Sequence, residues 1–167
     1  MTANAMKFEG AVSADVRREV NAAIGDVAIC TTAASVTTST TLVNVAGLVT
    51  ERLLPGTYEF EIRLITTAGA SGGVKAALKQ STAGMVTAIS ASVQGLSAAA
   101  IANTTFTTTT DAASLIAATT AYVAVNARGV VVIGAPGTLQ VQVAQNASDA
   151  TATTVALRSY MVFRKIS

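Results

Sequence analysis

"PGTYEFEIRLITTAG", Pro55 to Gly69, is the stretch on which the fold turns. Tyr58, Phe60, Ile62 and Leu64 take alternate positions, and Glu59, Glu61 and Arg63 fill the positions between them. A period of two is the repeat of a pleated strand, so the segment predicts a strand with a core side and a wet or interfacial side. Pro55 and Gly56 supply the turn ahead of it.

The same logic extends outward along the chain. In Gly137–Ser167 ("GTLQVQVAQNASDATATTVALRSYMVFRKIS"), Leu139, Val141 and Val143 alternate with Gln140 and Gln142, which predicts a second half-buried strand. "QNASDAT" then reverses the chain. The return segment carries Leu157, Met161 and Phe163 on one parity and Tyr160, Val162 and Ile166 on the other. Apolar residues on both parities predict a central strand covered on each side.

From Val27 onward Thr and Val dominate, residues whose branched side chains suit a pleated surface, and Gly, Pro, Asn and Asp separate the segments. The predicted strands are 27–32, 40–45, 48–53, 57–67, 74–81, 86–94, 103–110, 119–126, 129–134, 137–145 and 154–166. Gly69–Lys75 reads as a hairpin loop, and the Ala-rich ends of Ser97–Thr120 read equally as loops or helical turns around a strand at Phe106. This many short strands with no long helical pattern between them predict an all-β protein, an antiparallel jelly-roll β-sandwich.

Residues 1–26 have a different character and are expected to form an arm ahead of a sandwich spanning 27–167. "SADVRREVNAAIG" offers Ser13 as an N-cap, Asp15 in the first turn, Val16, Val20 and Ile24 as one apolar stripe, and Gly25 as a stop. A helix this short must dock on something to persist. No apolar signal-peptide core precedes it, and Cys30 stands alone, which fits a chain made in a reducing cytoplasm. Cys30 itself reads as a small buried hydrophobe.

Composition narrows the chemistry. Charged residues are 12% of the 167, against about 25% in ordinary soluble domains, and the 11 basic and 9 acidic residues form no stripe to follow a phosphate backbone. Nucleic acid is therefore not an expected partner, and no apolar run approaches the ~20 residues of a membrane-spanning helix. With no histidine and one cysteine, the usual zinc sites and the commonest general base are missing, so no metal or cofactor is expected.

Glu59 and Glu61 share a strand face about 7 Å apart, a spacing open to a glycosidase pair but more simply to a solvated or subunit-facing surface. No G-x-S-x-G or P-loop pattern occurs; "GASGGVK" lacks the required ending. Two sequons, at Asn103 and Asn146, carry no weight in a Thr-rich chain without a secretion signal. With 4% aromatics and no tryptophan, stacking platforms are poorly supplied. The chain reads as a non-enzyme.

"TTLVNVAGLVTERLLPGTYEFEIRL", "SGGVKAAL" and "GVVVIGAPGTLQVQVAQNASDATATTVALRSYMVFRKI" resemble the small jelly-roll domains of tailed-bacteriophage virion proteins, over residues 35–167. These serve as capsid decoration or cement proteins, head fibres and fibre tips, many in a tumour-necrosis-factor-like trimer. The resemblance implies a homotrimeric cement protein on the capsid surface of a virion, binding the major capsid protein or another virion protein. An alternative is a tail-fibre or head-fibre tip that binds a host-surface glycan through loops such as Gly69–Gly73 and Asn146–Asp149. The short N-terminal region, with no heptads, favours the first.

A core of Ala, Thr and Val is thin, because each buried methylene contributes only about 0.8 kcal/mol, so copies covering one another's outer faces are expected on physical grounds also. A closed ring leaves no apolar patch exposed, and the terminal strands are expected near its axis or beside the core. Candidate trimer or core residues are Tyr58, Phe60, Ile62, Leu139, Val141, Val143, Tyr160, Val162 and Phe163. Candidate capsid-docking residues on the arm are Met6, Phe8, Val12, Val16 and Val20, with Lys7, Arg17 and Arg18 free to meet acidic groups.

Overall fold

A computed structural model describes residues 25–97, 100–106, 112–115 and 123–167. These residues are all-β, with no helix among them. The predicted arm and its helix, ahead of Gly25, lie outside the described residues.

The strands are β1 (Asp26–Ile29), β2 (Ala34–Val36), β3 (Val43–Val49), β4 (Gly56–Thr67), β5 (Val74–Gln80), β6 (Val86–Ser97), β7 (Ala100–Phe106), β8 (Ala112–Leu115), β9 (Val123–Ile133), β10 (Leu139–Ala144), β11 (Thr153–Val155) and β12 (Tyr160–Lys165). A large sheet has the order β1-β12-β4-β9-β6-β7, with β11 also on β4 and β2 on β11; a smaller sheet has the order β3-β10-β5-β8. All pairings are antiparallel. From β3 to β11 each connection crosses from one sheet to the other, except the β6–β7 hairpin.

The alternation in β4 has the expected result. Tyr58, Phe60, Ile62 and Leu64 point into the space between the sheets and are buried, while Glu59, Glu61 and Arg63 point away. Met161 and Phe163 of β12 and Val125, Val131 and Ile133 of β9 join them from the large sheet. Leu139, Val141 and Val143 of β10, with Leu78 of β5 and Leu48 of β3, face them from the small one. The layers form a β-sandwich-like body around one apolar core.

Several predicted boundaries move, each for a local reason. The two strands expected at 40–45 and 48–53 are a single strand, β3, interrupted by a bulge. Its register on β10 jumps from Val49 opposite Gln140 to Asn44 opposite Gln142. The Gln140 amide fills the gap, donating to the carbonyls of Val45 and Leu48 at 2.8 Å each. Gly47 is left-handed there, at φ +82°, and a Cβ on it would come within 2.3 Å of the Ile29 carbonyl oxygen.

The expected strands 119–126 and 129–134 are also one, β9. Gly129 marks no turn: it faces Phe60 across the ladder, where a Cβ would come within 2.2 Å of the Ser90 carbonyl oxygen. The expected strand 154–166 is instead two, because Arg158 turns at φ +70° and Ser159 Oγ ties the turn to Ala156 O and to Ile65 N–H. Leu157 sits in that turn, exposed, and not on the core parity expected for it. Gly69–Lys75 joins strands of different sheets, so it is not a hairpin loop. β8, on the small sheet beside β5, is a strand where the Ala-rich sequence reads as loop or helical turn, and β2 had no sequence prediction.

Candidate interaction surfaces

The outward side of the large sheet is ordered by register. One row runs Val27, Val162, Glu61, Arg128, Ser92 across β1, β12, β4, β9 and β6. The next runs Ile29, Tyr160, Arg63, Asn126, Gln94, and a third runs Arg164, Glu59, Val130, Ser90. An open depression of about 650 Å³ crosses the middle, lined by Glu59, Glu61, Arg128, Val130, Tyr160 and Val162 among others.

The two glutamates that sequence reading set beside each other are both engaged. Arg128 Nη2 lies 3.1 Å from Glu61 Oε2, and the Tyr160 hydroxyl donates to Glu61 Oε1 at 3.2 Å. Glu59 pairs with Arg164. Each carboxylate thus leans on a base from an adjacent strand, Glu61 on β9 and Glu59 on β12, on opposite sides of β4.

The outward side of the small sheet is different in kind. Lys75 of β5 and Gln140 and Gln142 of β10 alternate with buried neighbours, and Lys79 of β5 and Asn44 of β3 share their side, opposite Gln140 and Gln142. Gln142 donates to Asn44 at 2.9 Å and Lys75 to the Thr40 carbonyl at 2.7 Å. Only the lysines carry charge on these central positions.

At one end of the body three loops are tied together by Asp149 and by Gln145, whose side chain is fully buried. Its Nε2 donates to the carbonyls of Asp149 and Thr151, and its Oε1 accepts from the N–H groups of Ser39 and Asp149. Asp149 accepts from Thr151 N–H at 2.7 Å and from Ser71 N–H at 3.2 Å. These bonds, Thr151 first, hold its carboxyl below the usual range. The cluster spends its polar groups on itself.

The predicted trimer or core residues separate cleanly. Tyr58, Phe60, Ile62, Leu139, Val141, Val143 and Phe163 are buried between the sheets, with the Tyr58 hydroxyl donating to the Leu54 carbonyl at 2.9 Å. Tyr160 and Val162 are half-buried on the outer side. The predicted docking residues Met6, Lys7, Phe8, Val12, Val16, Arg17, Arg18 and Val20 lie outside the described residues. Cys30 is buried and donates to the Thr32 carbonyl; burial pushes its thiol pKa up, away from the reactive thiolate.

Sequence reading missed Arg128 and Val130, because it broke β9 at residues 127–128, between strands expected at 119–126 and 129–134. Read as one strand, Asn126, Arg128 and Val130 fall on the parity opposite Val125, Ala127 and Val131. Among the described residues no three His, Cys, Asp or Glu side chains gather as metal ligands, and no helix is long and apolar enough to cross a membrane. Comparison with protein-family models, curated proteins and solved structures finds no match to this chain.

Proposed function

We propose that the chain is a structural virion protein of a tailed bacteriophage, a homotrimeric jelly-roll protein that decorates the capsid and cements the major capsid protein shell. The observation that carries this reading is the strand order. Setting aside the β6–β7 hairpin, β1-β12-β4-β9 lies against β3-β10-β5-β8, eight strands in two sheets with connections that cross between them, an order that supports the jelly-roll reading. The fold alone names no ligand.

Two physical features favour an assembly role. The chain is poor in charge, and its exposed large side chains include Val27, Ile29, Val43, Val49, Val130 and Leu157, apolar surface of the kind that assembly covers. The end loops in which a glycan site was expected bond chiefly to one another through Gln145 and Asp149, which favours cement over a receptor-binding tip. In this reading the N-terminal arm makes the capsid contact.

The test uses capsids of the parent phage prepared without this protein. The full chain should co-sediment with them, and a chain lacking residues 2–24 should keep its solution mass and strand-type circular dichroism while losing co-sedimentation. Undiminished binding by the truncated chain would reject the docking role of the arm, and no binding by the full chain would reject the cement reading.

A further inference from the structure

We propose that the outward side of the large sheet, over β1, β12, β4 and β9, is covered by a second copy of this chain. The inference rests on the trimer reading above and gives it a surface.

Three observations converge there. The first is apolar surface in one place: Val27 is 56% exposed, Ile29 55% and Val130 38%, and all three share this side with the half-buried Val162 and Tyr160. Cross-strand pairing makes the patch continuous at β1 and β12, where Val27 faces Val162 and Ile29 faces Tyr160. Interface cores have this make-up, apolar and aromatic groups with few free charges.

The second is that the charges at its centre are already neutralised. A surface that meets its own copies in a closed ring brings like side chains near one another. Bare carboxylates or guanidinium groups repeated around a ring would repel, whereas Glu61 with Arg128 and Glu59 with Arg164 enter as neutral pairs. Arg63 has no ion pair among the described residues; it lies toward the β11 end of β4, where it can stay at a wet rim.

The third is shape. The depression of about 650 Å³ makes the middle of this side concave, with Val130 and Val162 in its lining, so it can receive a convex apolar part of a neighbour. The small sheet offers the opposite case: Lys75 and Lys79 have no acid beside them in their rows, and copies placed there would set ammonium groups against each other. Self-compatibility of charge therefore selects the large sheet.

The experiment compares three full-length chains by light scattering and by circular dichroism: the wild type, Val27→Glu/Ile29→Glu, and Val43→Glu/Val49→Glu as a control with exposed valines on β3. The wild type should be a multimer at micromolar concentration, the control should match it, and the β1 variant should be folded with subunit affinity weakened at least ~100-fold. A folded β1 variant of unchanged mass would overturn the surface while leaving the trimer reading intact. A monomeric wild type would overturn both.

Hydroxyl-radical footprinting of the wild type needs no variant to fold. Ile29, Val130, Tyr160 and Val162 should be shielded relative to Val43 and Val49 in the assembled form and gain labelling on dilution. Equal labelling of both sets in the assembled form would overturn the proposal. So would shielding that arises only on capsids, which would assign the side to a foreign partner.

Discussion

The rings of Phe60 and Phe163 are stacked across the β4–β12 ladder, centroids 5.2 Å apart and planes 14° apart, at a position where the two residues are directly paired. On the far side of Phe60 the paired residue is Gly129, so one row of the core runs ring, ring, bare backbone. That row lets β6 approach β9 closely behind the aromatic pair.

Truncating the row should be costly. Phe163→Ala is expected to lower stability by about 3–5 kcal/mol, as for other buried rings. A double-mutant cycle of Phe60→Leu with Phe163→Leu should reveal a coupling of about 0.5–1.5 kcal/mol. Urea unfolding followed by circular dichroism measures both, and a coupling near zero would mean the stack contributes only buried area.

Gln145→Ala should loosen one end of the body. The amide serves four backbone groups in two loops, and each one left buried without a partner costs about 1–3 kcal/mol. Hydrogen exchange should show the Ser39 and Asp149 amides losing protection while Phe60 and Met161 keep theirs.

Asp26 and Asp149 should respond oppositely to pH. Desolvation raises the Asp26 pKa above its ordinary 3.8, outweighing the bond its carboxylate accepts from Glu51 N–H at 2.7 Å. The folded state then holds that proton more tightly than the unfolded one, so stability is lost as pH rises through the folded value. Asp26→Asn keeps an acceptor for Glu51 N–H without the charge, and should raise the urea midpoint at pH 7 with the gain fading by pH 3.

For Asp149 the sign reverses. Its folded pKa is lowered, so its contribution is complete above 3.8 and disappears as pH falls through the lower, folded value. Asp149→Asn should reduce the neutral-pH midpoint and flatten the acid limb of a midpoint-against-pH curve. An acid limb unchanged from the wild type would show that other carboxylates set it.

Gly47→Ala and Gln140→Leu should both damage the β3 bulge. The first places a Cβ against the Ile29 carbonyl at a left-handed position, and the second orphans the carbonyls of Val45 and Leu48. Each is expected to cost on the order of 2 kcal/mol. Thermal unfolding of the two single variants checks this.

The parts of the fold legible in the sequence are those where side-chain period alone decides. β4 over Tyr58–Leu64 and β10 over Leu139–Val143 alternate between apolar and polar residues, so the order of residue types is enough to identify their buried faces. What was hidden depends on long-range approach. Gly129 reads as punctuation until β6 is seen lying against it, and the bulge in β3 reads as a gap until Gln140 arrives from nearly a hundred residues away.

The outer surface was half legible for the same reason. Glu59 and Glu61 were placed outward correctly, but their partners Arg128 and Arg164 belong to strands whose registers no local pattern fixes. Leu157 misled because apolar parity continues through a turn that Ser159 and a left-handed Arg158 impose.

The position of β12 between β1 and β4 governs the order in which the chain can assemble itself during synthesis. β1 leaves the ribosome well ahead of β12 and has its ladder partner only after more than a hundred further residues are made, at Tyr160–Phe163. Until then β4 carries an open edge, and Phe60 has no ring beside it. Such delayed closure makes for slow maturation and a sticky nascent intermediate, so the yield of native protein should depend on how fast the last strand arrives.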